Sequence, residues 1–400
     1  MTRRTSAAIP NGDVMPDLEA LFHEVFPRGR GEIVATRAPG RVNLIGEHTD
    51  YNEGFVLPVA VDREVHVLAQ RRPDDRVVVY SANFSRRATF ELDALGLSAR
   101  QSWINYPQGV ADALQRAGHH LPGMNVILWG NVPLGAGMSS SAAVEIACML
   151  AFRHLAGLLP DARADIILAQ RAENSFVGVQ TGIMDQFISR LGREGHALLL
   201  DCRSLDYWPI PMVLPDIELC VVHSGVPRGL ASSEYNKRRE ECAEGVALLQ
   251  AYLPHITALR DVSLGEFALV EHHLPDVIRR RCRHVISEDA RVGAAAEALR
   301  RGDLKTLGVL FAQSHASMRD DYEITVAAVD TLVELARAHG ARASRMTGGG
   351  FGGCTINLVP SMHVDAFEHA ISLEYPALTG CTPVFYRCRA VDGAGLALVS

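Results

Sequence analysis

The residues best suited to chemistry lie in three glycine-bearing segments and around one carboxylate. The first segment is Pro133-Leu134-Gly135-Ala136-Gly137-Met138-Ser139-Ser140-Ser141-Ala142-Ala143-Val144-Glu145. A strand enters it, two glycines permit a tight turn, and three serines open a helix. Unpaired main-chain N–H groups and the positive end of a helix dipole bind phosphate at such a place without any lysine. Serine hydroxyls there can also ligate a magnesium ion that bridges phosphates. A glycine turn with one capping serine is the plainer account, but three successive serines exceed what capping requires.

The second segment, Met346-Thr347-Gly348-Gly349-Gly350-Phe351-Gly352-Gly353, formally contains the dinucleotide fingerprint GxGxxG. Cys354 to Val359 then reads as a strand where that fingerprint needs a helix, so a dehydrogenase reading fails. Backbone that must approach another group closely explains the glycines better, and a flexible turn is the plainer alternative. The third segment, Ala38 to Asn52, crowds Arg41, Glu47, His48 and Asp50 behind an apolar strand. Those donors and acceptors suit a polyhydroxylated ligand. His48 alone would be an ordinary structural histidine, and no His or Cys partner stands at metal-site spacing. The carboxylate is Asp185, in Gly182-Ile183-Met184-Asp185-Gln186, twelve residues after Glu173 on a predicted helix. An isolated aspartate is usually solvated. The apolar neighbours Ile183, Met184 and Phe187 argue for partial burial and a tuned acid.

These residues need a scaffold. Strands are expected at Ile33 to Thr36, Arg41 to Ile45 and Glu64 to Gln70, with a hairpin through Pro73-Asp74-Asp75 into Arg76 to Tyr80. A helix carrying Val110, Leu114 and Ala117 stops at Gly118. A strand at Met124 to Trp129 feeds a helix from Ser139 to His154. Ile166 to Asn174 reads as helix, and His196 to Leu200 and Ile217 to Val222 read as strands. A helix at Ala328 to Ala336 ends at Gly340, before strands at Cys354 to Val359 and Pro383 to Arg389. Helices and strands mix without strict alternation, which favours α+β over a doubly wound sheet. Residues 1–16 read as a loose tail, and a break near Pro209 to Pro215 divides the remainder.

Composition narrows the function. Of 400 residues, 48% are hydrophobic and 21% charged, and 39 basic against 46 acidic residues leave a net charge of −7. A phosphate-tracking nucleic-acid protein normally shows a basic excess. No apolar run reaches the roughly 18 residues of a membrane span, and no signal peptide is visible. The eight cysteines contain no CxxC pair and are expected to be reduced and mostly buried. Only Lys237 and Lys305 are lysines, and neither follows a glycine, so GxxxxGK[ST] is absent. Neither fits the strand that carries a protein-kinase lysine.

In their order along the chain, GRVNLIGEHTDYN, PLGAGMSSSAAVE, GIMDQ and TGGGFGGC resemble the galactokinases of the GHMP small-molecule kinase family. The resemblance runs from Pro39 to Val359, with support from Asp201-Cys202-Arg203-Ser204-Leu205 and Ser233-Glu234-Tyr235-Asn236. It implies a two-lobed α+β fold, with an N-terminal lobe like the second domain of ribosomal protein S5 (17–212) and a ferredoxin-like C-terminal lobe (213–400). It implies transfer of the γ-phosphoryl of ATP to the anomeric hydroxyl of α-D-galactose, the entry to galactose catabolism. Asp185 would be the general base and Arg41 its partner. Glu47, His48, Asp50, Gly182 and Tyr235 would contact galactose. Gly135, Ala136, Gly137, Met138, Ser139, Ser140 and Ser141 would hold the phosphates, with Ser81 and Trp103 near the adenine. Ser140, with Ser141 as second choice, and Glu173 would ligate Mg2+. The alternatives are a kinase for N-acetylgalactosamine or L-arabinose, or a non-catalytic sugar sensor. The intact serine run and Asp185 favour catalysis. The protein is expected to be a cytoplasmic monomer whose partners are a sugar and ATP, with no nucleic acid and no membrane.

Overall fold

The computed structural model describes residues 14–29, 31–226 and 231–397, apart from the side chains of 231–233, so residues 1–13 of the expected tail lie outside it. The first half runs α1 (Leu18–Val25), β1 (Ile33–Asn43), β2 (Phe55–Val56), β3 (Pro58–Arg71), β4 (Arg76–Ser81), β5 (Arg86–Glu91), α2 (Asn105–Arg116), β6 (Met124–Gly130), α3 (Ser140–Leu155), α4 (Ala162–Arg171), α5 (Met184–Leu191), β7 (His196–Asp201) and β8 (Tyr207–Pro211). The second half runs β9 (Ile217–His223), α6 (Ala231–Leu249), α7 (Leu264–Val270), α8 (Asp276–Arg300), α9 (Leu304–Asp320), α10 (Ala327–Ala338), β10 (Ala343–Thr347), β11 (Cys354–Pro360), α11 (Val364–Thr379), β12 (Val384–Cys388) and β13 (Gly395–Leu396).

The main N-terminal sheet has the order β13-β1-β3-β6-β4-β5, with β2, β7 and β8 forming a small second sheet. Every pairing among the described strands is antiparallel except β4 with β6. The C-terminal sheet has the order β10-β11-β9-β12. Numbered within the lobe that is 2-3-1-4, with helices after its first and third strands, which is the ferredoxin-like pattern. The chain is α+β as expected. The end of the described chain does not stay with the C-terminal sheet: β13 returns to pair with β1 through Thr36↔Leu396 and Arg37↔Gly395.

The expected hairpin at Pro73-Asp74-Asp75 does not form. Both edges of β3 are taken, one by β1 and the other by β6, and β4 joins the far side of β6. The turn itself is real: Arg72 and Arg76 both donate to the Asp74 carboxylate. It carries β4 past its neighbour instead of back along it. The two strands expected before Ile45 are one strand, β1, whose register shifts between Pro39 and Gly40. Pro39 has no N–H to give to a ladder, and a bulge is where a sheet accommodates that.

The largest of five apolar clusters among the described residues links the lobes, running from Val42, Val67 and Ile146 to Val221, Val292, Phe311 and Ile356. Six of the eight cysteines are buried, and no disulfide links any two of them. No helix among the described residues is long and apolar enough to cross a membrane.

Candidate active site

The bulge in β1 sets the first contact. Gly40 lets the serine loop rest on the strand, since a Cβ there would stand 2.7 Å from the Met138 carbonyl oxygen. The Arg41 N–H donates to that same oxygen at 3.1 Å. The Arg41 side chain then points at the first turn of α5. Its Nε and Nη2 donate to the Asp185 Oδ1 and Oδ2 at 2.6 and 2.7 Å, and its Nη1 donates to the Gly137 carbonyl at 2.5 Å. Ser139 stands at the N-cap of α3 in the left-handed region, φ 57°, and donates its hydroxyl to Asp185 instead of capping the helix. Strand, loop and helix therefore converge on one carboxylate. Burial alone would lower the Arg41 pKa, but the charge and hydrogen bonds of Asp185 outweigh it and hold Arg41 above its ordinary value.

Around this pair lies a cavity of about 340 Å3 lined by Arg41, Glu47, His48, Asp50, Gly182, Asp185 and Tyr235, with Gly135, Gly137 and Ser139 to Ser141 at one end. Gly182 has a steric reason: a Cβ there would lie 1.8 Å from the Asp50 Oδ2. Burial, and next the charge of Asp185, push Asp50 up to about 6. Glu47 faces the cavity, yet both its oxygens are already held by protein. The Asn43 Nδ2 amide and the Arg345 guanidinium donate to Oε2, while the Thr347 hydroxyl and the Gly348 N–H donate to Oε1. Burial raises its pKa, and the nearby Arg345 charge opposes that. His48 has φ 64° and is buried, and burial followed by the His284 charge pushes it down to about 3. It is a neutral imidazole. The second glycine segment closes this side, with Gly348 and Gly349 lining the cavity.

The far end of the cavity is the start of α3, a 16-residue helix whose first-turn N–H groups have no partners within the helix. Beyond it a second cavity of about 300 Å3 is lined by Ser81, Asn83, Phe84, Trp103, Trp129 and Leu134. Tyr106, Gly135, Ser140 and Ser141 line both cavities. Glu173 sits in a wide turn, Ala172–Val177, where the helical bonding changes from i+4 to i+5, a feature often found at functional sites. Its Oε2 accepts from Thr181 Oγ1 and Gln186 Nε2, each at 2.8 Å, and the Ser141 hydroxyl bonds to the same carboxylate. Burial raises the pKa of Glu173, with Asp185 adding to the effect.

The structure thus gathers nearly all the residues singled out from sequence. Ala136 and Met138 contribute only main chain, because their side chains are buried in the core. Ser141 is the serine that bonds to Glu173, and Ser140 stands beside it between the cavities. Three contributors escaped the sequence reading. Tyr106 lies between the cavities. Gln186 bridges Glu173 and Glu145, donating to them at 2.8 and 3.0 Å. Arg345, wholly buried on β10, reaches across to the Leu44 carbonyl at 2.7 Å and to Glu47. An arginine inside an otherwise buried strand was the available signal for the last.

The chain is 48% identical over 363 residues to a galactokinase from Roseiflexus sp. (strain RS-1), covering 90% of this chain and 92% of that one. The chain belongs to the galactokinase family. The galactokinase galactose-binding signature matches residues 20–71, which hold Arg41 to Asp50. The N-terminal domain of GHMP kinases matches 105–193, with the serine loop and Asp185, and the C-terminal domain matches 295–377. The Lactococcus lactis galactokinase complexed with galactose superimposes with a TM-score of 0.91 at 35% identity, covering 95% of this chain and all of that one. Methanococcus jannaschii mevalonate kinase, at 16% identity and a TM-score of 0.65 over 92% of this chain and all of its own, shares the fold.

Asp50 gives a stability test. Its folded pKa of about 6 lies above the ordinary carboxylate value, so the folded state binds more protons between roughly 4 and 6. Its contribution to stability is therefore full below that window and is lost as pH rises through it. Asp50→Asn should gain about 1–2 kcal/mol at pH 8 and little at pH 4, measured by denaturant titration at both. An equal gain at both pH values would show that charge burial is not the cause.

Proposed function

We propose that this chain transfers the γ-phosphoryl group of ATP to the anomeric hydroxyl of galactose, giving galactose 1-phosphate and ADP. The observation that carries this reading is that the two cavities share the start of α3 as a common wall, through Gly135, Ser140 and Ser141. One cavity holds an acid–base pair among sugar-type donors and acceptors, and the other is an aromatic slot. Galactose would lie between Asp185 and the Glu47 to Asp50 loop, under Tyr235. Adenine would sit by Trp103 and Ser81, with the triphosphate along Gly135 to Ser141.

In that arrangement the anomeric oxygen attacks the γ-phosphorus as the bond to the ADP oxygen breaks. The hydroxyl proton passes to Asp185, and Arg41 remains protonated. Arg41 holds the carboxylate in place and offers positive charge to the phosphoryl group in flight. Because such transfers are loose, holding the two oxygens in line matters as much as removing the proton. No lysine among the described residues lines either cavity. The phosphate charge is therefore left to Arg41, the amides of α3 and a metal ion. A buried carboxylate bonded only to hydroxyl and amide groups fits Mg2+, with Glu173 and Ser141 as holders and Ser140 beside them. When bound, the ion neutralises phosphate oxygens.

Asp185→Ala should lower kcat at least 10²-fold with MgATP binding retained. Near-normal turnover would remove the base assignment. Gly182→Ala should displace Asp50 and raise the galactose KM at least tenfold without changing the ATP KM. A coupled assay of ADP release over galactose, N-acetylgalactosamine, L-arabinose and glucose decides the sugar. The proposal requires galactose to have the highest kcat/KM.

A further inference from the structure

His48 is held from behind by groups that do not line the cavity. Its Nδ1 is 2.7 Å from the Tyr51 hydroxyl, which is 2.8 Å from the Tyr322 hydroxyl, which is 3.1 Å from the Cys242 sulfur. The chain starts in the sugar-side loop of the N-terminal lobe and ends on α6, with Tyr322 just past α9. The rings pack around it: the His48 ring centre lies 4.9 Å from that of Tyr322 and 5.1 Å from that of Tyr235, both tilted, and it meets Tyr51 edge-on at 89°. Tyr322 is fully buried and is pinned through its carbonyl by Arg238 at 2.8 Å. The other ring nitrogen, Nε2, is buried and makes no hydrogen bond of normal geometry, with the Gly349 main chain beside it. Gly349 and His48 both line the sugar-side cavity.

We propose that Tyr51 and Tyr322 are positioning residues that fix the tautomer of His48, so that Nε2–H is presented to a sugar oxygen. This rests on the reading that His48 meets the sugar. The row of hydrogen bonds can run in two directions. With Tyr51 donating to Nδ1 and Tyr322 donating to Tyr51, the best donors face the best acceptors, and the weak Cys242 thiol donor falls at the end. That direction leaves Nδ1 as acceptor and puts the ring proton on Nε2. The Gly349 main chain bonds to this imidazole only with poor geometry, and a buried N–H so poorly satisfied gains from a well-aligned ligand oxygen, so a hydroxylated ligand would complete the loop. The left-handed backbone of His48 is kept by the same ring packing, together with the Asn52 amide, which donates to the His48 carbonyl at 2.8 Å. Substrate affinity is thereby tied to a contact between lobes, since neither tyrosine would touch the sugar.

Tyr322→Phe and Tyr51→Phe keep the rings and remove one hydroxyl each. Each should raise the galactose KM about tenfold, change kcat less than threefold, and leave the ATP KM unchanged. In long-range 1H–15N spectra of the full chain with labelled histidine, the signal lost in His48→Ala should show Nδ1 as an unprotonated acceptor. In Tyr51→Phe that signature should shift toward a tautomer mixture. If His48→Ala raises the galactose KM but both tyrosine variants match the parent protein, the relay is wrong. If the histidine signature moves in Tyr51→Phe while the galactose KM stays put in all three variants, the relay exists but His48 does not meet the sugar, and the proposal falls. If the spectrum shows Nδ1 protonated, the assigned direction is wrong.

Discussion

A guanidinium and a carboxylate, both largely withdrawn from water, face each other through two hydrogen bonds of 2.6 and 2.7 Å, and the cleft is arranged around them. Either charge alone would be costly to bury, and the pairing makes both tolerable. Meeting this demand explains several local departures from regular structure: the β1 bulge, the missing side chain at Gly40, and the left-handed Ser139. Each brings a different element within reach of Asp185. The serine loop is consequently held in place before any nucleotide arrives, with Gly137 and Met138 both accepting hydrogen bonds from Arg41. Preorganisation of this kind spares the reaction a rearrangement at the moment of transfer.

A second buried charge group fixes the sugar-side loop from the other lobe. Glu288 on α8 accepts from the Gly46 N–H at 3.0 Å and from Ser314 at 2.7 Å. Burial would raise its pKa, but Arg291 and Arg345 outweigh this and hold it down at about 2. Arg345 in turn binds Glu47. The loop that supplies His48 and Asp50 therefore belongs to the N-terminal lobe by sequence and to both lobes by contact. The apolar core is likewise continuous between the two lobes.

This arrangement also explains how far the sequence could be read. The phosphate-side loop was legible because its function is written in local backbone needs: glycine at turns, serine at a helix start, and both within a few residues. Asp185 was legible through its apolar neighbours and Glu173 only through the family resemblance, while the wide turn at Ala172–Val177 was not legible at all. The long helix α8 was missed because charges occupy its buried face. Its apolar stripe (Ile278, Cys282, Val285, Val292, Ala296 and Leu299) is interrupted by buried charges, Arg281 paired with Glu241 and Glu323, and Glu288 with Arg291. The β3–β4 error has a different origin. Turn chemistry is local, but the choice of strand partner depends on β6, more than forty residues further on. Arg345 and the Tyr51–Tyr322 contact join residues roughly 300 and 271 positions apart, beyond any local pattern.

The most direct measurement is a double-mutant cycle on kcat/KM with Arg41→Met, Asp185→Asn and the double variant, all checked for folding. If the two side chains act as one unit, the double variant should be about as slow as the slower single variant, leaving a coupling well above 1 kcal/mol. Losses that simply add would mean that Arg41 and Asp185 act independently, and the account of the cleft built on their pairing would be wrong.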